Sequence, residues 1–72
     1  MVNLIKNWDV YILTPLDYSS GDSKKLVGRQ LSPHPNIQQG FLLYENLDGA
    51  QCGINITEVL AFSIEPQFIE EK

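Results

Sequence analysis

The chain has 72 residues, a formal net charge of −4 at pH 7, one cysteine and one histidine. At this length a chain forms one domain and buries only about 60% of its unfolded surface, so a stabilising feature beyond the core is expected. Because a single cysteine excludes an internal disulfide and one histidine with one cysteine excludes a four-ligand zinc site, oligomerisation is the feature we expect.

Charge and hydrophobicity limit the class of protein. Hydrophobic residues make up 43% of the chain and charged residues 19%, which is an ordinary globular composition. Nine acidic residues outnumber five basic ones, whereas nucleic-acid domains usually carry a basic excess that releases counterions from phosphates. No apolar run is long enough for a membrane span or a secretory signal, so a cytoplasmic protein without membrane contact is expected.

The first half of the chain contains two predicted strands. Residues 1–7 fit either a short helical turn or an extended lead-in, and the β-branched and aromatic run Trp8–Thr14 predicts the first strand. Turn-forming residues then predict a loop over 15–23. Lys24–Leu31 is the second predicted strand, and Gly28 within it indicates a bend, a bulge or a close backbone approach.

The second half contains three more predicted strands. Two prolines make 32–39 a predicted loop, because proline cannot donate to a sheet ladder. The strands are then Gly40–Glu45, Gln51–Ile56 and Val59–Ile64, with a tight Asp-Gly hairpin turn at 46–49. Pro66 is expected to end the last strand.

Five short strands without a convincing amphipathic helix predict an all-β fold. A small, strongly bent, five-stranded antiparallel barrel of the SH3-like or OB-like kind is the expected architecture, with a short N-terminal helical turn as an option. The whole chain, 1–72, is one domain with its core at about 8–65 and an acidic tail at 66–72. A barrel this small leaves open edge strands, which can pair with another copy and close a ring.

The order of these features resembles the Sm-like family, which includes the LSm and Hfq proteins. Leu26–Leu31, bent at Gly28, is similar to the second strand of the family, and Gly40–Asn46 is similar to its third strand. Cys52–Ile64 resembles the second family motif. The resemblance implies an Sm-like barrel that pairs through edge strands near Ile54–Ile64 into a homo-oligomeric ring and binds single-stranded RNA. The chain also resembles divergent Sm-like proteins of bacteriophages of marine cyanobacteria, which would place it in the host cytoplasm.

Several positions depart from the family pattern. Asn36 and Gly40 stand where the RNA-contacting loop of the family has an aspartate and an asparagine. The Arg-Gly pair of the second motif is replaced by residues from the segment 55–58, and the Lys-His pair of the Hfq branch is absent. The alternative is therefore a non-catalytic interaction barrel, or a phage structural or accessory protein, that keeps the ring and has lost RNA binding.

Six residues are the candidate RNA-binding set. The amides can read base edges because they both donate and accept, the histidine can stack on a base or bind phosphate, and the arginine can contribute to a basic belt in a ring. Each also has a plain interpretation as a solvated loop or edge residue. The set is His34, Asn36, Gln38, Gln39, Asn55 and Arg29.

Other side chains give weaker functional signals. The aromatic residues Tyr11, Tyr18, Phe41 and Tyr44 can stack on bases, but in small barrels such residues usually belong to the core or an interface. Cys52 is expected to face inward, where a thiol is normally inert. No catalytic grouping, metal site or cofactor motif is recognisable, so we expect a protein that is not an enzyme and needs no metal or cofactor.

Overall fold

A computed structural model describes residues 4–69. It contains six strands, one short helix and one 3₁₀ turn. In chain order these are β1 (Ile5–Leu13), α1 (Pro15–Ser19), β2 (Lys25–Gln30), β3 (Asn36–Gln38), β4 (Phe41–Asn46), β5 (Gln51–Asn55), the 3₁₀ turn (Ile56–Glu58) and β6 (Ala61–Phe68). No helix in this part of the chain is long and apolar enough to cross a bilayer.

The six strands form one curled antiparallel sheet, a half-barrel, which confirms the predicted all-β fold. β5 pairs with one edge of β4 along residues 41–45, so β2 and β3 share the opposite edge of β4. β1 lies beside β2, and β6 lies beside β1. Among the described residues, three strands pair on one side only, so β5, β6 and the short β3 each have one open edge.

Gly28 is a point of close approach between β2 and β4, as the sequence predicts. The register between β1 and β2 shifts by one residue here, because Val10 faces Gly28 while Tyr11 faces Leu26. A Cβ atom at position 28 would overlap the Glu45 carbonyl oxygen and lie 2.8 Å from Cδ2 of Tyr44. The bulge and the missing side chain together allow β2 to bend across β4.

The predicted loop over 32–39 is wrong in part, because Asn36–Gln38 forms β3. The prolines lie before this strand, and Gln39 and Gly40 turn the chain back into β4 with φ angles of 51° and 82°. This left-handed pair closes a tight hairpin, so a three-residue strand is enough to pair with β4. The sheet therefore has six strands where five were expected.

The ends of the sheet also differ from expectation. β1 begins at Ile5, so a helical turn is wrong for residues 5–7, while residues 1–3 lie outside the described range. Pro66 does not end the last strand but faces Trp8 within β6. Proline is tolerated there because β6 is an edge strand with one unpaired side. The predicted tail therefore begins after Phe68, and residues 70–72 lie outside the described range.

The core of the isolated chain is small. Between residues 4 and 69, the fully buried hydrophobic side chains are Val10, Ile12 and Leu42, each at most 3% exposed. Other apolar side chains pack around them while remaining partly accessible, among them Ile54 and Ile56 on the face predicted to point inward. Twelve large hydrophobic residues of the described chain are exposed, so apolar surface is available for burial in an assembly.

A one-turn helix, α1, occupies part of the predicted loop over 15–23. Thr14 and Asp17 form a capping box: the Thr14 hydroxyl oxygen accepts from the Asp17 backbone N–H (3.2 Å), and the Asp17 carboxylate accepts from the Thr14 hydroxyl (2.9 Å). The same carboxylate lies 3.0 Å from Nζ of Lys25. The bond from Lys25, followed by the bond from the Thr14 hydroxyl, lowers the pKa of Asp17 below its ordinary value of 3.8.

Asp17→Asn is expected to lower stability at neutral pH and to reduce the acid sensitivity of the fold. Because the pKa of Asp17 is lower in the folded chain than in the unfolded chain, its contribution is complete above about pH 5 and is lost as the pH falls through the folded pKa. Urea midpoints at pH 7 and pH 3 should show a larger gap between wild type and variant at pH 7. Asp48→Asn, in an exposed turn, is the control, and an equal gap at both pH values would contradict the prediction.

Candidate nucleic-acid interface

Four of the six candidate residues lie on the outer face of the sheet, opposite the core. Leu42 points into the core, so its neighbours in β4, Phe41 and Leu43, point outward, because strand side chains alternate. Residues directly opposite each other in antiparallel strands share a face. The register therefore gives three parallel rows across β4, about 6.7 Å apart along the strand.

The first row places an aromatic ring between two amides. Phe41 of β4 faces Gln38 of β3 on one side and Asn55 of β5 on the other. Phe41 is 45% exposed, and both amides are exposed. A half-exposed aromatic ring flanked by amide groups can stack on a base while the amides bind its edge.

Gly53 keeps this part of the outer face flat. A Cβ at position 53 would lie 2.9 Å from Cδ2 of Leu43, so the Leu43 side chain extends over the glycine, and the Cβ of Phe41 is in ordinary contact distance at 4.0 Å. Asn36, Leu43 and Gly53 form the second row. Neither of the first two rows contains a charged residue, so an anionic ligand meets no carboxylate within them.

The amides are held by local hydrogen bonds. Oδ1 of Asn55 accepts from the Thr57 backbone N–H (3.0 Å) and hydroxyl (2.8 Å), which caps the 3₁₀ turn and leaves the Asn55 NH₂ group as the available donor. Nε2 of Gln38 donates to Oδ1 of Asn36 (3.0 Å). These contacts fix the side chains before a ligand arrives, which lowers the entropic cost of binding.

The third row is charged and lies next to an open groove. It consists of Arg29, Glu45 and Gln51. A groove of about 350 Å³ connects this row with Asn36 of the second row. Arg29 is thus two rows, or about 13 Å, from the aromatic row, and it lies opposite Glu45, so the sheet does not place it beside Gln38 and Asn55.

The other two candidates lie outside the three rows. His34 is in the exposed loop over 31–35, where its backbone carbonyl accepts from Nε2 of Gln30 (2.7 Å). Gln39 occupies the left-handed position of the β3–β4 turn. Sequence patterns favour a core or interface position for Phe41. Because side chains alternate along β4 and Leu42 points inward, Phe41 lies on the outer face.

Two further titratable side chains, Tyr44 of β4 and Cys52 of β5, lie on the inward face of the sheet. Tyr44 faces Cys52 across β4 and β5, and burial, followed by the neighbouring thiol, raises the pKa of Tyr44. Cys52 is half-buried rather than fully buried. Within residues 4–69, no group of three or more histidine, cysteine, aspartate or glutamate side chains is placed to hold a metal ion.

Comparison with protein-family models, with curated proteins and with solved structures gives no match to this chain.

Proposed function

We propose that the chain is an Sm-like, non-catalytic β-barrel that assembles edge to edge into a homo-oligomeric ring and binds single-stranded RNA. The aromatic ring of Phe41 between Gln38 and Asn55 is the observation that supports RNA binding. The small core and the open edges of β5 and β6 support assembly. In a ring, the uncharged first row is repeated once per subunit, which multiplies a weak contact into useful avidity.

The backbone of β5 is arranged to receive another strand. The Asn46 N–H donates to the Ala50 carbonyl (2.8 Å), and the Ile56 N–H donates to the Gly40 carbonyl (2.8 Å). Because the direction of these bonds alternates along an antiparallel strand, Gln51 and Gly53 direct their backbone N–H and C=O groups to the open edge. Pairing of this edge with the part of β6 that precedes Pro66 in the next copy satisfies them, because proline has no N–H to donate. A monomer by light scattering at micromolar concentration would contradict the ring.

Phe41→Ala tests RNA binding directly. Base–aromatic stacking contributes about 1–3 kcal/mol per base, so we expect RNA affinity to fall by about 5- to 150-fold. The measurement is fluorescence anisotropy with labelled U-rich and A-rich RNA over a salt series, on protein whose assembly is checked by light scattering. Phe68→Ala is the matched control, because Phe68 is a similarly exposed phenylalanine (51%) on β6.

A second function is favoured by charge. The chain carries a net charge of −4, and Glu45 lies in the third row beside the proposed RNA face. If the ring forms but its dissociation constants for U-rich and for A-rich RNA are both weaker than about millimolar, the result would indicate a protein-interaction barrel that has lost RNA binding. Equal RNA affinity of the Phe41→Ala and Phe68→Ala proteins would show that RNA binds elsewhere.

A further inference from the structure

An open stretch of sheet edge lies where β2 leaves β1. The pairing of β1 with β2 begins at Trp8, opposite Gln30, whereas β1 itself starts at Ile5. In the described structure, residues 5–7 of β1 therefore have β6 on one side and no strand on the other. This edge belongs neither to β5 nor to the free side of β6, so edge-to-edge assembly through those strands leaves it open.

A groove of about 310 Å³ lies beside this edge. It is lined by side chains from β1, from the end of β2 and its following loop, and from β4: Lys6, Asn7, Arg29, Gln30, Leu31 and Glu45. Leu31 is 90% exposed, the highest value among the large hydrophobic residues of the described chain. Covering so exposed a leucine with an apolar side chain of a ligand removes apolar surface from water, which favours binding.

The loop that carries Leu31 is tied down by hydrogen bonds. Nε2 of Gln30 donates to the carbonyls of Ser32 (2.6 Å) and His34 (2.7 Å), and the His34 backbone N–H donates to the Ser32 hydroxyl oxygen (3.2 Å). Three bonds within five residues hold Leu31 at the groove wall. A fixed apolar anchor loses less conformational entropy on binding than a mobile one.

Two basic side chains line the groove, although the chain as a whole is acidic. Lys6 and Arg29 line it together with one carboxylate, Glu45, and no carboxylate of residues 4–69 makes an ion pair with either cation. Asp9 is the register partner of Arg29 on β1, but it is 8% exposed and accepts from the side chain of Asn7 at 2.8 Å. The lining thus has a net charge of +1, which is complementary to an acidic occupant.

We propose that this groove binds an extended, acidic peptide segment of a partner protein by β-strand addition. The backbone groups at the open edge of residues 5–7 pair with the peptide main chain, and a peptide carboxylate lies between Lys6 and Arg29. An apolar side chain of the peptide covers Leu31. Strand addition uses main-chain hydrogen bonds for affinity and alternate side chains for specificity, and these residues provide both.

The test uses two labelled hexapeptides and fluorescence anisotropy at 0.15 M salt. One alternates valine with glutamate, and the other alternates valine with lysine. We expect the acidic peptide to bind the full-length protein at least about tenfold more tightly than the basic one. Arg29→Glu and Lys6→Glu should each weaken the acidic peptide by about tenfold, equivalent to about 1.4 kcal/mol, and Leu31→Ser should weaken it by about fivefold.

Lys24→Glu is the matched control, because it makes the same charge change at an exposed lysine outside the groove lining. It should change the affinity for the acidic peptide by less than about twofold at this ionic strength. Circular dichroism verifies that each variant remains folded, and Arg29→Gln repeats the test without charge reversal. Equal binding of the two peptides, or equal effects of Lys24→Glu and Arg29→Glu, would overturn the proposal, as would displacement of the acidic peptide by RNA at the same site.

Discussion

Replacing Gly28 with alanine is expected to prevent the chain from folding stably. The added Cβ overlaps the carbonyl oxygen of Glu45, which is backbone of β4 and cannot move without breaking the pairing of β2 with β4. β2 and β4 are paired at two positions, Gly28 with Asn46 and Arg29 with Glu45. If β2 moved to make room for the Cβ, no further pairs would keep these two strands aligned. We expect a loss of about 3 kcal/mol or more, a large part of the stability of a domain this small.

The comparison with Gly53→Ala makes this prediction specific. A Cβ at position 53 meets Cδ2 of Leu43 at 2.9 Å, and that atom is the end of a side chain that can rotate away. We expect Gly53→Ala to cost about 1 kcal/mol or less. Urea unfolding followed by circular dichroism should place the midpoint of Gly53→Ala near that of the wild type. A wild-type midpoint for Gly28→Ala would show that β2 and β4 are not in close contact.

Gln51→Pro is expected to break down the proposed ring. The N–H of Gln51 points to the open edge of β5 and takes no part in pairing with β4, so its loss leaves the subunit fold intact. The pyrrolidine ring also occupies the space through which a second strand approaches. Each contact loses a hydrogen bond worth about 1 kcal/mol and gains a steric obstacle, so we expect subunit affinity to fall at least about tenfold.

Light scattering over a concentration series gives the readout for this substitution. Wild type and Gln51→Ala, which keeps the N–H, should share one mass at micromolar concentration, while Gln51→Pro should show a smaller and concentration-dependent mass. The thermal midpoint of the wild type should rise with protein concentration, because assembly stabilises the folded chain by mass action. If Gln51→Pro retained the wild-type mass, assembly through the edge of β5 would be contradicted.

The hairpin and strand patterns are the part of the fold that sequence reasoning could reach. The Asp-Gly turn is local, and Gly49 has the expected positive φ of 91° between β4 and β5. The close approach at Gly28 was predicted from a glycine inside a strand pattern. The turn depends on neighbouring residues, and the glycine is recognisable because it interrupts a strand, although the residues it approaches, Tyr44 and Glu45, are distant in sequence.

Features set by position within the sheet were harder to predict. The two prolines near β3 indicated a loop, and only the hairpin at Gln39 and Gly40 makes a three-residue strand possible. Pro66 is acceptable in β6 because nothing in residues 4–69 pairs with its outer side. The helix α1 was not predicted, because the Thr14–Asp17 spacing of its capping box falls among turn-forming residues that indicate a loop.

In the candidate site, too, residue types are predictable from the sequence, whereas their grouping depends on the sheet. The amides at 36, 38 and 55 were chosen for their chemistry, whereas the registers of β3 and β5 against β4 decide that they share a face. These two registers also put Phe41 between Gln38 and Asn55, and the register of β2 against β4 separates Arg29 from them. Register depends on where each turn closes, so the grouping could not be derived from residue types alone.

The pairing of β1 with β6 determines the order in which parts of the sheet form during synthesis of the chain. The hairpins from β3 to β5 join residues close in sequence, whereas β1 meets β6 only after more than forty intervening residues have been made. Closure of such a distant pair is slow, because the loop entropy is lost before the contacts form. A ribosome-bound chain therefore presents the open edge of β5 before its own β6 exists. The proposed pairing of that edge with β6 of another copy needs a partner chain in which β6 is already complete.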